Sequence, residues 1–592
     1  MRPSVKIPAS AVETDVLVIG AGPSGLLAAL ALARLGIRVH FVERRAPGSQ
    51  YGNADGLQPR TLEIWKNYDI LDGFSLHAAY VHAMVAYEQS ADGIGLVRTT
   101  PSRNVVVSAR YGFEMAASIS TIEATLRNAA EEAGADFFQP VAPASLDISD
   151  QDTEDSREKV YPIKVLLRPH FSEEPTSLSQ GTRTMDDKDF AVHAKYVIGA
   201  DGAHSWVRRH LSIQMHGDQT EHVWGVIDAI VDTNFPDCRF KCIIQSSTGA
   251  LIIIPREGEM VRIYVQLPSA GATGPKGSFE TPESTRAKIL KHIVDGLAPY
   301  RIEFKEVFWH TIFSVPQKVA SSYSLRDRIF IVGDACHTHS PGAGQGANAS
   351  MGDSHNLAWK LAYVLRGWAS RSLLDTYEQE RRTYAQELID FDKQIMDKLH
   401  GGTAEDYQSM LHKRNMFTSG IGIRYQSRLT SLGSELCARH LDIGERLPPS
   451  LLVRLGDWHP TELQDLVPAD GLFKLFIFPS DILLATQNER LTEFAISLVQ
   501  CGENNIFQRM SIYIIVDSPK EKVHWKDVPH PFQCWRSVFV SDIMDGSRGV
   551  YGKFGISHTG STVLVRPDGY ISMITELSGT GFGRIATFLQ GL

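Results

Sequence analysis

The sequence has few cysteines and no long run of basic residues, and each shortage excludes a class of protein. Six cysteines are scattered through 592 residues without a CxxC pair. They cannot supply a disulfide framework, so we expect free thiols and a reducing compartment, the cytoplasm. The formal net charge of −9, with no Lys/Arg-rich stretch, argues against a nucleic-acid partner, because phosphate binding requires a basic surface.

One uncharged stretch approaches the length of a membrane span. Residues 16–33 carry no charge, and a transmembrane helix needs about 17 to 25 such residues. Gly20, Gly22 and Gly25 divide the stretch into a β-branched run and an Ala/Leu run, which predicts strand, turn and helix. Acidic residues precede it, and no basic flank with a cleavage site is visible, so we expect neither export nor a membrane partner.

The composition is that of a globular protein, with 43% hydrophobic and 21% charged residues. The length corresponds to several domains of about 100 to 200 residues each. Glycine, at 48 residues, slightly exceeds its average share of about 7%. The positions of these glycines carry most of the functional information.

The first glycine cluster is a dinucleotide-binding fingerprint. Gly20 allows the tight turn after a strand, Gly22 lets the backbone approach a pyrophosphate, and Gly25 lets the following helix pack closely on that strand. The helix N-terminus then receives the phosphates. A second strand ends at Glu43, whose carboxylate can accept hydrogen bonds from a ribose.

Two distant segments distinguish FAD from NAD. "YVIGADGAHSWVRR" (196–209) and "RIFIVGDACHTHSPGAGQGANASMGDSHNLAWKLAYVL" (328–365) resemble, in order and spacing, the DG and GD motifs of the flavoprotein aromatic hydroxylases. The resemblance implies that Asp334 binds the ribityl chain and that the loop from Pro341 to Gly346 lies beside the isoalloxazine ring. Asp201 could instead only cap a turn. The FAD-binding candidates are Gly20, Gly22, Gly25, Glu43, Arg44, Asp201, Gly202, Arg262, Asp334, Pro341, Gly344 and Gly346.

Three further features are similar to the phenol hydroxylase branch, which includes 3-hydroxybenzoate 4-hydroxylases. They are "YGNADGLQPRTLEIW" (51–65), "IIIPREGEMVRIYVQL" (252–267) and a C-terminal extension of about 150 residues. The resemblance implies that Asp55 is the base near the phenol, that Arg256 and Tyr264 approach substrate and flavin, and that Arg262 positions the flavin. By itself, Asp55 would be an Asp-Gly turn residue.

The chemistry that the resemblance implies requires such groups. A free phenol titrates near pH 10, and electrophilic hydroxylation is faster on the phenolate, so a base and hydrogen-bond donors must favour deprotonation. In this family NADPH, or NADH, reduces FAD, O₂ forms a flavin C4a-hydroperoxide, and one oxygen atom passes to the ring. The site must keep water away from that intermediate.

Two positions qualify the resemblance. Lys241, on a predicted strand, could anchor a substrate carboxylate as a similarly placed lysine does in hydroxybenzoate-specific relatives, or it could be a solvated lysine. Family members also carry a flavin-contacting Gln shortly before the "IE" of one helix, where this chain has Ser118, Ile119 and Ser120.

The fold class expected is α/β, with a Rossmann-like FAD-binding domain interleaved with a β-sheet substrate domain and followed by a thioredoxin-like domain without CxxC. The predicted boundaries are 1–210 for the first FAD part, with a hairpin insertion near 140–190, 211–320 for the substrate sheet, 321–400 for the second FAD part, 401–444 for a linker, and 445–592 for the C-terminal domain. The family implies a homodimer.

Other readings stay open at this stage. The same motifs fit a tailoring hydroxylase or epoxidase of a larger natural-product phenol, or a flavin-binding protein whose catalytic site has decayed. The chain keeps Asp55, Arg256 and Tyr264 together, which argues against a decayed catalytic site. "CHTH" (336–339) resembles a metal cluster, but its residues are too close together to chelate one ion tetrahedrally, so we expect no metal.

Overall fold

The computed structural model describes residues 11–48, 52, 55–93, 95–149, 160–170, 189–218, 223–268, 281–314, 316–340, 342, 344–430, 435–500, 506–541 and 549–592. Helices α1 to α13 are Pro23–Arg34, Pro59–Asn67, Leu71–Ser75, Ile119–Glu132, Trp206–His210, Pro282–Gly296, Gly346–Leu365, Asp375–Gly401, Ala404–Lys413, Asn415–Thr418, Ala485–Gln500, Gly549–Phe554 and Gly579–Gln590. Strands β1 to β29 are Val12–Ile19, Val39–Val42, Gly56–Leu57, Ala79–Val81, Ala83–Gln89, Leu96–Arg98, Ser102–Arg103, Glu114–Ala116, Asp136–Phe138, Val141–Ile148, Ile163–Pro169, Phe190–Gly199, Met215–Asp218, Val223–Thr233, Lys241–Ser246, Gly249–Pro255, Met260–Leu267, Ile302–Phe313, Gln317–Ala320, Ser324–Leu325, Ile329–Ile331, His337–Thr338, Leu451–Arg454, Pro460–Glu462, Phe473–Ser480, Met510–Val516, Val538–Ser541, Ser561–Val565 and Ile571–Glu576.

The chain divides into two compact units. The first comprises Met1–Leu62, Ile70–Leu357 and Arg381–Gly420, and the second comprises Glu63–Asp69, Ala358–Glu380 and Ile421–Leu592. Both units mix helices with β-sheets, so the α/β prediction is confirmed. No helix among the described residues combines the length and low polarity that a bilayer crossing requires.

The first unit contains the predicted Rossmann-like sheet, ordered β10-β11-β12-β1-β2-β9, with β21 also paired to β12. Strands β12, β1, β2, β9 and β21 are parallel neighbours. The run Val16–Ile19 of β1 is buried throughout, as expected for a central parallel strand that is covered on both faces. Strands β10 and β11 form the predicted antiparallel hairpin insertion.

A second large sheet in the first unit has the order β18-β14-β17-β16-β15-β5-β6. It corresponds to the predicted substrate sheet and is antiparallel from β18 to β15. One face packs under helix α6 as an apolar core that includes Ile227, Leu251, Ile263 and Ile289. Because side chains alternate along a strand, the intervening residues face the other way, towards the candidate site.

Residues 401–444, predicted as a linker, begin with ordered helices in the first unit. Helix α9 starts with a capping box, in which the Thr403 side chain accepts from the Asp406 N–H and the Asp406 carboxylate accepts from the Thr403 N–H. Tyr407 and Leu411 are buried. The Gly401-Gly402 break that suggested a linker therefore only separates α8 from α9.

The second unit is built on the sheet β24-β23-β27-β26-β25-β28-β29. Strands β25 and β26 are parallel and joined through α11, whereas β28 and β29 form an antiparallel hairpin followed by α13. The apolar residues of β25, β28 and β29, with Val550 and Phe554, form its core.

A buried ionic network joins distant segments inside the second unit. Arg566 donates to both oxygens of Glu380, at 2.6 and 2.9 Å, and to both oxygens of Asp568, at 3.0 and 2.6 Å. Lys360 donates to Glu380 at 2.9 Å. Burial lowers the pKa of Lys360 to about 8, although the negative charge of Glu380 acts in the opposite direction.

Candidate active site

The glycine turn between β1 and α1 has the geometry that its sequence predicts. Gly20 has a φ of +106°, and a Cβ there would lie 2.3 Å from the carbonyl oxygen of Ala200. A Cβ on Gly25 would lie 1.9 Å from the carbonyl oxygen of Gly20, so only glycine allows the helix to approach the strand. No atom of the described residues lies within 4 Å of a Cβ built on Gly22, which leaves its backbone open to a ligand at the helix N-terminus.

Glu43, at the end of β2, is held by its neighbours. Its carboxylate accepts from the Ala21 N–H at 3.0 Å and from the N–H and Nε of Arg45 at 2.8 and 3.1 Å. Burial opposes ionisation, but the hydrogen bonds and charge of Arg45 keep the pKa of Glu43 below its ordinary value. Arg45 also reaches Glu123 at 3.3 Å. Arg44, the predicted FAD contact, is exposed.

The carboxylate of Glu123, in contrast, has a raised pKa of about 7. Burial is the main cause, and the charge of Arg45 only partly offsets it. The predicted Glu43 thus shares its arginine with a second acidic group. No role could be predicted for Glu123 from the sequence, because it lies 78 residues from Arg45 along the chain.

Asp201 and Gly202 follow β12, and the Asp201 carboxylate faces helix α5. It accepts from the N–H groups of Trp206 and Val207 at 2.6 and 3.0 Å and from the Ser205 hydroxyl. Gly202 has a φ of +79°. This geometry matches the capping role that the sequence left open for Asp201 beside a contact with FAD.

Asp334 lies in the 3₁₀ turn Gly333–Ala335 just after β21, where its side chain is exposed. Ser350 donates to it at 3.4 Å. Among the acidic groups nearby, Asp353 holds the turn, since it accepts from the Gly333 N–H at 2.9 Å and from Arg381 Nε at 2.6 Å. The exposed carboxylate of Asp334 is therefore available to a ligand.

Cys336, His337 and Asp353 form the one group, within the described residues, whose ligand atoms are close enough to hold a metal ion. His337 Nε2 lies 2.8 Å from an Asp353 oxygen, and Arg381 occupies the other oxygen of that carboxylate. The guanidinium thus already neutralises the carboxylate that a cation would need. The sequence assigned no role to Asp353, which lies later in the segment 328–365, or to Arg381, because both meet the Gly333 turn only in the folded chain.

The predicted flavin loop is tied to the strand that follows Asp55. Pro341 itself lies outside the described residues. Asn348, in the first turn of α7, donates from Nδ2 to the carbonyl oxygens of Gly344 and Gly56 at 3.0 and 2.9 Å and accepts from the Gln58 N–H at 2.8 Å. Tyr407 donates to the Gly342 carbonyl oxygen at 2.7 Å. Two segments almost 300 residues apart along the chain therefore meet at Asn348.

The predicted catalytic residues lie together, and one unpredicted aspartate joins them. Arg262 Nε and Nη2 donate to the two oxygens of Asp228 at 2.6 and 2.7 Å. Asp55 Oδ2 lies 3.6 Å from Arg262 Nε and 3.9 Å from Arg256 Nη1. Tyr264 Oη is 3.5 Å from Arg262 Nη1. We call these five residues the Asp55 cluster, and all of them are buried.

The β-sheet explains why these groups face the same way. Asp228 on β14 pairs with Arg262 on β17, and Tyr264 lies two residues further along β17. Residues that pair across strands, or are separated by two along a strand, share a face. The sequence missed Asp228 because only the pairing of β14 with β17 brings it beside the "VRIY" motif.

The cluster's electrostatics keep Tyr264 protonated. Burial, followed by the negative charge of Asp55, raises the pKa of Tyr264 well above its ordinary value, and Arg262 only partly opposes them. At neutral pH the phenol therefore has a proton to donate. Asp55 Oδ2 is buried and accepts no hydrogen bond within the described part of the chain, so it can accept one from a ligand.

Glu257 links the cluster to helix α4. Its two carboxylate oxygens accept from Arg256 Nε at 3.1 Å and from the Ser118 N–H at 2.9 Å. Ser118 is the N-cap of α4, and its hydroxyl accepts from the Thr121 N–H. The position where the family resemblance implied a flavin-contacting Gln thus begins a helix whose first residues Glu257 links to Arg256.

Lys241, the candidate carboxylate anchor, is paired inside the protein. Its ammonium group donates to both oxygens of Glu114 at 3.0 and 3.1 Å, and Gln58 Nε2 donates to Glu114 at 2.6 Å. The lysine is therefore not the solvated residue of the alternative interpretation. Whether it anchors a substrate depends on Glu114, which the sequence did not single out.

Two family descriptions match the chain. The FAD binding domain matches residues 13–161 and 169–392, and the C-terminal dimerisation domain of phenol hydroxylase matches residues 412–592. A phenol 2-monooxygenase of Aspergillus fumigatus is 31% identical over 98% of this chain and 96% of its own. A 3-hydroxybenzoate 4-monooxygenase of Comamonas testosteroni is 30% identical over 95% of this chain and 93% of its own.

Solved structures agree at the level of the fold. Aklavinone-11 hydroxylase, in a ternary complex with FAD and aklavinone, superposes with a TM-score of 0.71 at 22% identity, over 98% of this chain and 99% of that one. The flavin-dependent monooxygenase PieE, in complex with FAD and substrate, gives a TM-score of 0.68 at 19% identity, over 99% and 100%.

Proposed function

Because the chain belongs to the FAD-dependent aromatic monooxygenases, in the branch of the phenol hydroxylases, we propose that it uses NADPH or NADH and O₂ to hydroxylate a small phenolic substrate. The observation that carries the proposal is the Asp55 cluster. It places, at one buried point, two guanidinium groups, a protonated tyrosine and a carboxylate oxygen that accepts no hydrogen bond from the described residues.

The residues of the first unit fit FAD. The open space at Gly22 beside the N-terminus of α1 suits a pyrophosphate, and the exposed Asp334 carboxylate suits the hydroxyls of a ribityl chain. Glu43 keeps an ionised carboxylate at the end of β2 for a ribose. When bound, FAD supplies the oxygen-transfer chemistry, and the protein supplies orientation and electrostatics.

In this proposal Asp55 takes the substrate's hydroxyl proton at Oδ2. The guanidinium groups of Arg256 and Arg262 place positive charge beside the developing phenolate, and Tyr264 donates its proton in a hydrogen bond to the same oxygen. These electrostatic interactions are stronger in a buried site, where the effective dielectric constant is low. Removing a general base typically lowers a rate by about 10² to 10⁴-fold.

Asp55→Asn tests the base role. We expect a yellow protein with wild-type FAD content whose rate of phenol hydroxylation falls at least 100-fold. Substrate-stimulated oxidation of NADPH and of NADH, with analysis of the product, separates hydroxylation from release of hydrogen peroxide. The matched control is Asp232→Asn, a more exposed aspartate on strand β14, the strand that carries Asp228 of the cluster. An unchanged rate in Asp55→Asn would remove Asp55 from the mechanism.

We also infer that the second unit is a thioredoxin-like dimerisation domain. The β25-α11-β26 crossover followed by the β28-β29 hairpin and α13 is the order of elements of that fold, and the chain contains no CxxC. The match to a dimerisation domain supports a homodimer. Light scattering during gel filtration is expected to give twice the 65.6 kDa of the chain.

A further inference from the structure

Lys241 lies on the same face of the substrate sheet as Tyr264. Ile243, two residues after Lys241 on β15, pairs with Ile252 on β16, and Ile252 pairs with Tyr264 on β17. Side chains related in this way share a face. Neighbouring strands are about 4.8 Å apart, so β15 runs roughly 10 Å from β17. That separation suits a ring substituent of a phenol whose hydroxyl group lies at Tyr264.

Glu114 occupies the place beside Lys241 that a substrate carboxylate would take. The Lys241 and Glu114 side chains are only 13% and 10% exposed, and their two contacts are 3.0 and 3.1 Å long. Gln58 donates a third hydrogen bond to Glu114. Burial opposes ionisation, but the positive charge of Lys241 and these hydrogen bonds hold the pKa of Glu114 below its ordinary value. A permanent carboxylate thus neutralises the lysine.

The remaining charges do not compensate for an added anion. Beyond this pair, the carboxylates of Asp55, Asp228 and Glu257 already lie against the guanidinium groups of Arg256 and Arg262. The residues between the pair and the cluster include Ile243 and Ile252, which are buried. Among the residues that the structure describes here, a substrate carboxylate would meet only basic groups that already have an acidic partner, and burying such a charge is strongly unfavourable.

We propose that Glu114 determines the charge of the substrate: by pairing with Lys241 it restricts the enzyme to phenols without a carboxylate. This inference rests on the proposed function and narrows it from phenols and hydroxybenzoates to uncharged phenols. The apolar surface of Ile243 and Ile252 contacts the part of the ring away from the hydroxyl group. Glu114→Gln, which keeps the shape and one acceptor but removes the charge, frees Lys241 for a carboxylate.

The test compares binding of phenol and 3-hydroxybenzoate through the change in flavin absorbance, with turnover measured separately. For the wild-type protein we expect 3-hydroxybenzoate to bind at least 10-fold more weakly than phenol. In Glu114→Gln its Kd should fall at least 10-fold, whereas the Kd of phenol should change less than threefold. The double variant Glu114→Gln/Lys241→Met also has no unpaired charge, but it lacks the lysine. Its Kd for 3-hydroxybenzoate should therefore return to about the wild-type value.

The outcomes separate this inference from the proposed function. Two results would overturn the role of Glu114. One is a wild-type protein that binds 3-hydroxybenzoate more tightly than phenol. The other is a Glu114→Gln variant that has wild-type FAD content but an unchanged ratio of the two Kd values. If Glu114→Gln does not retain FAD, Glu114→Ala, which also removes the charge, takes its place: a lower ratio of the Kd of 3-hydroxybenzoate to that of phenol than in the wild-type protein would support the charge effect, and an unchanged ratio would refute it. If the Kd values change as expected but no phenol is hydroxylated, only the proposed function is rejected.

Discussion

Several side chains of the first unit act by contacting two segments at once. Glu257 joins Arg256 to the N-terminus of α4, and Asn348 joins the flavin loop to the strand after Asp55. Both lie in segments that the sequence singled out, 252–267 and 328–365, but the sequence assigned neither residue a role, because their contacts form only in the folded chain. Asp55 and Arg262, by contrast, are positions to which the family resemblance assigns a role without a structure. The sequence thus predicts the groups that perform chemistry but not the partners that orient them.

Gly25 provides a prediction for the dinucleotide turn. A Cβ at this position would lie 1.9 Å from the Gly20 carbonyl oxygen, whereas a Cβ on Gly22 meets nothing within 4 Å. We expect Gly25→Ala to lower the stability of the FAD-binding unit by about 1 to 3 kcal/mol. Gly22→Ala should fold with wild-type stability as apoprotein but bind FAD more weakly. Urea unfolding of the apoproteins and FAD titration measure the two effects, and equal destabilisation by both changes would contradict this account.

Glu123 gives the protein a pH dependence of stability. Its folded-state pKa, raised mainly by burial, is about 7, against an ordinary value of 4.5. The folded state therefore binds the proton more tightly, and the resulting stabilisation is complete below pH 4.5 and is lost as the pH rises through 7. Glu123→Gln should raise the free energy of unfolding at pH 8 by about 2 kcal/mol and change it little at pH 4.5. Urea unfolding at both pH values, followed by flavin fluorescence, checks this; a gain that is equal at both would be inconsistent with it.

Helix α9 is an element that the sequence obscured. Two glycines before it suggested a linker, but the capping box at Thr403 satisfies N–H groups that the helix start would otherwise leave without partners. The helix carries Tyr407, whose hydroxyl group holds the Gly342 carbonyl oxygen in the flavin loop. Element boundaries of this kind depend on side-chain hydrogen bonds, which composition does not reveal.

Thr403→Ala tests the contribution of that cap. Loss of the cap should lower the stability of the helix by about 1 kcal/mol. If Ala404–Lys413 exchanges its amide hydrogens through local opening, that exchange should become about fivefold faster. Thr403→Ser keeps the hydroxyl oxygen and serves as the control. Exchange rates that rise equally in both variants would show that the hydroxyl group does not start the helix.

At the scale of the whole molecule, the two compact units do not follow the order of the sequence. Residues 358–380, assigned from the sequence to the FAD-binding part, cluster with 421–592 in the second unit. The network of Lys360, Glu380, Arg566 and Asp568 gives a physical reason, because each of these buried charges needs an opposite charge from the other segment or its own turn. A motif-based boundary cannot detect such long-range pairing.

Arg566→Met should therefore destabilise the second unit by about 3 to 5 kcal/mol, because Glu380 and Asp568 would be left with Lys360 as their cation. The control is Arg584→Met, which removes an exposed ion pair with Glu576 in the same unit and should cost less than about 1 kcal/mol. Thermal unfolding followed by the tryptophan signal compares them. Similar losses in the two variants would mean that the buried network contributes no more than a surface pair.

The alternation of side chains along β14 to β17 has a consequence for how this region can change in evolution. On β17, Arg262 and Tyr264 of the Asp55 cluster alternate with Val261, Ile263 and Val265, which fill the core under α6. Inserting or deleting one residue within the strand would reverse the two sets and turn Arg262 and Tyr264 into the apolar core. Related enzymes should therefore differ in the side chains along this stretch but not in its length. A change of length there would identify proteins that no longer share this reaction.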